Sequence, residues 1–439
     1  LPQDTIFALS SGMPPAAIAV VRISGPQAGA ALSSLAGDLP PPRRAALRTL
    51  RDAKGAPLDQ ALTLWFPGPQ TATGEDLAEL HLHGGRAVVA AVQRALAAQK
   101  GLRPAEAGEF TRRAFLNGQI DLAEAEGLAD LLSAETESQR LQALKMASGH
   151  VSRAIGEWQE RLIRLMAIAE AELNFSDEED VESSNVTITR MVEGMADLAG
   201  ELDGWLARPA AEVIAEGLSV VIAGPPNAGK STLINALAQR ELAIVSPVAG
   251  TTRDIIETPL ALDGIAMRFS DTAGIRSEGS DAIEAVGIDR ARAAVGAADI
   301  LLWLGPPEDV PVHPRRIIIA AQADKWRGDF EREAQAARCD LTLSAQSGEG
   351  MDELHRHIVA IARDLLPREG EAALRIRQRQ ALKDARKWLA VPQGEREAAD
   401  LILLAERLRL SSNALDLVTG RGGVEDMLDA LFGRFCIGK

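Results

Sequence analysis

The chain has 439 residues, 46% of them hydrophobic and 25% charged, with a formal net charge of −15, which predicts two or three soluble domains rather than one core. The acidic balance argues against tight, non-specific nucleic-acid binding, which depends on counterion release by Lys and Arg. Aromatic residues at 3% with no Tyr argue against a base-stacking platform, and the lack of a long apolar run or a basic-then-apolar leader predicts neither a membrane span nor a secretory signal.

Residues 1–118 mix short apolar runs with turn signals. "AAIAVVRISG" (16–25), "LTLWF" (62–66) and "LAELHLHGG" (77–85) read as strands closed by Gly or Pro, which predicts a small α+β domain. From 119 to 214 the character changes to Ala, Leu and Glu with apolar residues at helical spacing, in "DLAEAEGLADLLSAETESQRLQALKMASG" and "IGEWQERLIRLMAIAEAELNF". The acidic run "SDEEDVESS" (176–184) reads as a solvated loop between helices.

Residues 215–367 alternate strand-like and helical segments, with strands expected at 218–223, 265–270, 300–304, 316–320 and 341–344. That alternation predicts an α/β domain around a largely parallel sheet. Helix returns over 368–439. The expected fold class is therefore multidomain α/β: an N-terminal α+β domain, then an all-α domain with a Ras-like P-loop domain inserted into it.

The phosphate-binding signal is specific. "GPPNAGKST" (224–232) follows a strand and opens a helix, as G-x-x-x-x-G-K-[ST] requires. Backbone N–H groups from Asn227, Ala228 and Gly229 would wrap phosphate oxygens at a helix N-terminus. Lys230 would reach the β- and γ-phosphates and Ser231 would ligate Mg²⁺, with Thr232 alongside. "GTTRD" (250–254) offers Gly250, Thr251 and Thr252, the last completing the Mg²⁺ shell. "DTAG" (271–274) gives Asp271, Thr272, Ala273 and Gly274, with Asp271 holding Mg²⁺ through water. "SAQ" (344–346), that is Ser344, Ala345 and Gln346, would line the base pocket. This ordered set indicates a GTPase.

Two stations depart from the usual pattern. GTPases usually read guanine with Asn-Lys-x-Asp, and here the stretch is "AQAD" (321–324). Asp324 keeps the charge-assisted contacts to the guanine edge, while Ala321 and Gln322 replace Asn and Lys, so a weakened GTP preference is expected. After "DTAG", Ile275 stands where Ras-like proteins carry a catalytic Gln. Asn227 in the P-loop and the loop "SPVAGTTRD" (246–254) offer neutral oxygens suited to a monovalent cation, which would stabilise transition-state charge.

The chain resembles the MnmE (TrmE) family of tRNA-modification GTPases. "VVRISG", "TGEDLAELHLHGG" (73–85), "GEFTRRAFLNGQIDLAEAEGLADL" (108–131), the GTPase motifs and the terminal "FCIGK" carry the resemblance over nearly the whole length. It implies K⁺ held by Asn227, Ser246, Val248 and Thr251, with Pro247 and Ala249 in the same nucleotide-facing loop, and Mg²⁺ held by Ser231 and Thr252. It implies that Glu284 orients the attacking water. It also implies a formyl- or methylene-tetrahydrofolate bound by Arg22, Glu79, Lys439 and position 119, where relatives often carry Lys and this chain has Gln119; Arg112 and Arg113 are candidate substitutes for that lost charge. A homodimer is implied, with a flavin-bearing partner (MnmG, or GidA) and the wobble uridine of tRNA as target, in the cytoplasm. The rival readings are an Era- or Der-like ribosome-assembly GTPase and a folate-binding scaffold with a weakened GTPase.

The two His of "HLH" (81–83) share one strand face, but no clustered third ligand is expected, which argues against a metal. "CIGK" has the length of a prenylation box, yet Gly and Lys suit its last positions poorly and no polybasic stretch precedes it. The resemblance reads Cys436 instead as a thiol delivered beside the one-carbon unit.

Overall fold

The computed structural model describes residues 4–175, 181–240, 242–243, 257–271, 291–325, 337–367, 371–391, 401–421, 428, 431–433 and 435–438. The chain divides into two compact units, one of residues 1–129, 147–163 and 412–439, the other of residues 130–146 and 164–411.

The first unit is built on a six-stranded sheet of β1 (Thr5–Leu9), β2 (Ile18–Ser24), β3 (Ala46–Arg51), β4 (Pro57–Phe66), β5 (Leu77–His83) and β6 (Leu102–Pro104), in the order β3-β4-β5-β2-β1-β6. Neighbours are antiparallel except β1 and β6. Side chains alternate across each strand. Ala19, Val21 and Ile23 of β2 and Ala78, Leu80 and Leu82 of β5 enter a core shared with α1 (Ala28–Ala36) and α2 (Arg86–Ala97). The residues between them, Arg22, Glu79 and His81, therefore point to the opposite face. On that face Leu62, the register partner of His81, is 45% exposed, and Leu47, opposite Leu62, is 57% exposed.

A second, smaller core joins α3 (Glu109–Leu116) and the start of α4 (Leu122–Ser133) to the C-terminal segment through Phe115, Leu122, Leu431, Phe432 and Phe435. Beyond it the tail reaches the sheet. Ile437 bridges Ala107, and Gly438 presses on Leu9 so closely that an added Cβ would lie 2.1 Å from the Leu9 carbonyl oxygen. Gly438 also has φ 99°, a conformation suited to glycine.

The second unit holds a seven-stranded sheet in the order β13-β12-β11-β7-β10-β9-β8. Its strands are β7 (Leu218–Ala223), β8 (Leu242–Ala243), β9 (Glu257–Leu262), β10 (Ile265–Asp271), β11 (Ile300–Trp303), β12 (Arg316–Ala320) and β13 (Leu341–Thr342). All pairs from β10 through β13 are parallel; β9 runs antiparallel to β10 and β8 to β9. Five of six β7 residues are buried, as a strand covered on both faces demands. The helices α9 (Lys230–Arg240) and α10 (Met351–Leu365) supply Leu233, Leu237, Leu354 and Ile358 to one core layer.

The helical residues lie in α5 (Glu137–Ala147), α6 (His150–Phe175), α7 (Val181–Leu206), the single turn α8 (Ala211–Ala215), α11 (Ile376–Leu389) and α12 (Leu401–Thr419). The helical spacing read over 121–149 is divided between α4 and α5 around Thr136, whose N–H and that of Glu135 bond to the Gln139 side chain. The acidic run overlaps the start of α7: residues from Val181 onward are helical, and 176–180 lie outside the described residues. Val181, Glu182, Ser183 and Ser184 thus extend a helix rather than a loop. The segments flanking the α/β sheet are strapped together by a parallel bridge between Ala210 and Leu374 and by Arg379, which donates to the Arg208 and Leu206 carbonyls.

Candidate functional site

The nucleotide-binding elements meet at the carboxyl ends of β7 and β10, the edge at which open α/β sheets bind their ligands. β7 runs straight into the P-loop. Gly224 has φ 151°, and a Cβ there would lie 2.9 Å from the Leu304 carbonyl oxygen, so the turn needs glycine. Asn227 adopts φ 62° and Gly229 φ 94°, which curl the loop before α9 begins at Lys230. Lys230 is 5% exposed, and its Nζ donates to the Gly224 and Pro225 carbonyls at 3.2 and 3.0 Å. The ammonium is thus held over the loop where β- and γ-phosphates would lie.

Ser231 Oγ donates to Asp271 Oδ2 at 2.6 Å. Ser231 and Asp271 together present hard oxygen donors of the kind Mg²⁺ takes. On the other side, Ala321, Gln322, Asp324, Ala345 and Gln346 line one cavity with Ala228, Gly229 and Thr232 of the P-loop. Its loops are knitted by Leu343 N–H to the Ala320 carbonyl at 3.0 Å and Ala323 N–H to the Leu343 carbonyl at 3.1 Å. Ser344 Oγ donates to Asp324 Oδ1 at 2.5 Å and fixes the carboxylate at the cavity. Ser246, Pro247, Val248, Ala249, Gly250, Thr251, Thr252, Thr272, Ala273, Gly274 and Glu284 lie outside the described residues.

On the first unit's sheet, Arg22 and Glu79 face each other across β2 and β5. Arg22 Nε and Nη2 donate to Glu79 Oε1 at 3.1 and 2.9 Å, and His81 Nε2 lies 3.3 Å from Glu79 Oε2. The Phe110 ring lies 5.9 Å from the Arg22 guanidinium carbon. Gln119 is exposed and lies beside Gly74, and Lys439 is outside the described residues. A carboxylate backed by an arginine that itself lies against an aromatic ring suits the donor edge of a pterin. His83 is occupied separately, with Nδ1 2.8 Å from Asp59 Oδ1, and no three-residue metal cluster exists among the described residues. Cys436 is exposed.

Sequence reasoning missed a buried charge network beside this pair. Arg113 is 2% exposed and donates to Asp4 Oδ1 at 2.9 Å, Glu75 Oε2 at 3.1 Å and Glu109 Oε1 at 3.0 Å. Arg103 binds Asp4 and Glu109 as well. Burial pushes the Glu109 carboxyl up, but hydrogen bonds from Arg103, the Glu106 amide and Arg113 outweigh it and hold it below the usual range. Asp4 is lowered in the same way, against its burial, by Arg103 and Arg113. Arg113 is therefore consumed inside the fold and cannot replace the charge lost at Gln119; Arg112 alone of the two is exposed.

The chain matches the model of the MnmE helical domain over residues 122–436 and that of the GTP-binding protein TrmE N-terminus over residues 5–119. A tRNA modification GTPase MnmE from Sphingopyxis alaskensis is 75% identical over 419 residues, covering 95% of this chain and all of that protein. The chain belongs to the MnmE family. Its relative from Erythrobacter litoralis, also named tRNA modification GTPase MnmE, is 55% identical across the full length of both. Among solved structures, Era from Aquifex aeolicus matches 40% of this chain and 68% of its own at 26% identity and a TM-score of 0.26. MnmE membership extends through the N-terminal sheet and the tail as well as the GTPase motifs, and so displaces the Era- or Der-like alternative.

Proposed function

We propose that this MnmE protein hydrolyses GTP under K⁺ stimulation and that the cycle drives a flavin-bearing partner of the MnmG type to modify C5 of the tRNA wobble uridine. The observation that carries the GTPase reading is the convergence of Lys230, Ser231 and Asp271 at one end of the sheet and Asp324 with Ser344 at the base cavity. In this reading Lys230 would leave the loop carbonyls for the phosphates, and Ser231 and Thr252 would hold Mg²⁺, with Asp271 reaching it through water; the ion would supply positive charge against the phosphates. Asn227, with Ser246, Val248 and Thr251, would hold K⁺, and Glu284 would orient the water. The G domain would span residues 215–367.

Arg22, Glu79, Gln119 and Lys439 would hold a formyl- or methylene-tetrahydrofolate, supported by the Arg22–Glu79–Phe110 arrangement. The exposed Leu47, Leu62 and Ile18 on that same sheet face support a homodimer through the first unit. Among the described residues no helix is long and apolar enough to cross a membrane, and the proposed setting is the cytoplasm.

The test is steady-state GTP hydrolysis by the full chain in KCl against NaCl at equal ionic strength. Strong stimulation by KCl is expected. Equal and negligible rates in both salts would remove the K⁺ assignment and favour a folate-binding scaffold.

A further inference from the structure

One side chain joins the base loop to the P-loop. Gln322 Nε2 donates to the Asn227 carbonyl oxygen at 2.7 Å, and Gln322 Oε1 accepts from Lys325 Nζ at 3.1 Å. Both partners have fixed polarity, since a backbone carbonyl only accepts and an ammonium only donates. The orientation of the amide therefore follows from the chemistry of its partners. Both clasped backbones are left-handed, with φ 60° at Gln322 and 62° at Asn227. That conformation is unfavourable for a residue with a side chain, more so for Gln than for Asn, and persists where its surroundings hold it. The Gln322 stem also walls the base cavity: a Cβ added to Gly229 would meet Gln322 Nε2 at 3.4 Å and Cγ at 3.7 Å.

We propose that Gln322 is a positioning residue that clasps the P-loop to the base loop, and that Lys325 holds its amide in the donating orientation. The loss of the usual Lys from the guanine loop is thus compensated by a two-residue relay, Lys325 to Gln322 to Asn227. Gln322 acts through Asn227, whose backbone it fixes at the phosphate-facing turn. Retention of guanine nucleotide then depends on a hydrogen-bond donor at position 322, not on bulk there.

The test is release of a fluorescent methylanthraniloyl-GDP from the full chain, chased with unlabelled GDP. Gln322→Glu keeps the shape but replaces the donor with an acceptor facing a carbonyl, and is expected to release nucleotide about tenfold faster. Gln322→Lys restores a donor and is expected within about twofold of the parent, while Lys325→Ala falls between, at roughly threefold. The KM for GTP should rise in Gln322→Glu by more than kcat falls. Unchanged release in Gln322→Glu would overturn the proposal, and so would equal acceleration in Gln322→Glu and Gln322→Lys, which would mean that shape rather than the donor matters.

Discussion

Ser231 Oγ and Asp271 Oδ2 stand 2.6 Å apart although 40 residues separate them in the chain. The contact follows from the parallel pairing of β7 with β10, in which Asp271 is the register partner of Ile222, near the point where β7 turns into the P-loop. Two motifs that read separately in the sequence are one oxygen-donor set in the fold. Ser231→Ala removes the hydroxyl and leaves Asp271 without this partner. Hydrolysis should fall by about 100-fold, roughly 2.7 kcal/mol of transition-state stabilisation, and the Mg²⁺ concentration for half-maximal rate should rise. A magnesium titration of the variant's GTPase rate checks both.

Asp324 is the proposed selector of the base. Its carboxylate, oriented by the Ser344 hydroxyl, would accept from the N1–H and amino group of guanine, contacts worth about 1.5–3 kcal/mol when charged. Asp324→Asn should weaken GTP by about 10- to 100-fold. The same variant should gain xanthosine triphosphate, whose 2-oxo group meets a carboxamide donor where guanine has an amine. Competition of GTP, ATP and xanthosine triphosphate for the labelled nucleotide measures this, and ATP displacing GTP from the parent chain at equal concentration would remove Asp324 as a selector.

How much of this was legible in the sequence depends on the range of the interaction. The P-loop was readable because its strand, glycines and helix start are contiguous. β1 and β9 were not expected: "TIFAL" has no Gly or Pro closing it, unlike the strands read at 16–25, 62–66 and 77–85, and "ETPLAL" carries Pro259, which argues against a strand. Pro259 is tolerated in β9, opposite Arg268 of β10. The Arg113 network went unread because its members lie up to 109 residues apart, and the motifs that hold Glu75, Glu109 and Arg113 give no sign that these side chains meet each other and Asp4. Gln322 read as a lost Lys; only its contact with Asn227 shows what it does.

The Arg113 network should make the first unit sensitive to acid. Asp4 and Glu109 have folded-state pKa values below their ordinary range. Their contribution is complete above the ordinary carboxylate value of about 4 and is lost as pH falls through the lowered values. The melting temperature of the first unit should therefore hold steady from neutral pH to about 5 and drop below that. Arg113→Met leaves Asp4 and Glu109 with Arg103, removes the arginine that pairs with Glu75, and should cost about 3 kcal/mol. It should also flatten the acid dependence, which thermal melts of parent and variant across pH 3–7 would show; equal acid slopes would mean that other carboxylates carry the effect.

The two cysteines should part company in reactivity. Burial pushes the Cys339 thiol up, and the neighbouring Asp340 adds to that, so little thiolate forms at neutral pH. Cys436 is exposed, on a tail segment pinned by Ile437 to Ala107 and by Gly438 to Leu9. β1 carries that contact directly into the proposed folate face, because Ala8, next to Leu9, is the register partner of Arg22. A chromogenic disulfide reagent at pH 7 should therefore titrate one thiol quickly, and mass spectrometry should find the label on Cys436. Bound formyl-tetrahydrofolate should slow that labelling if the tail delivers the thiol beside the one-carbon unit. Gly438→Val, whose side chain would collide with the Leu9 carbonyl, should free the tail and abolish the protection while leaving GTP hydrolysis intact. Labelling of Cys436 that ignores folate in the parent chain would reduce the thiol to an exposed group with no part in the site.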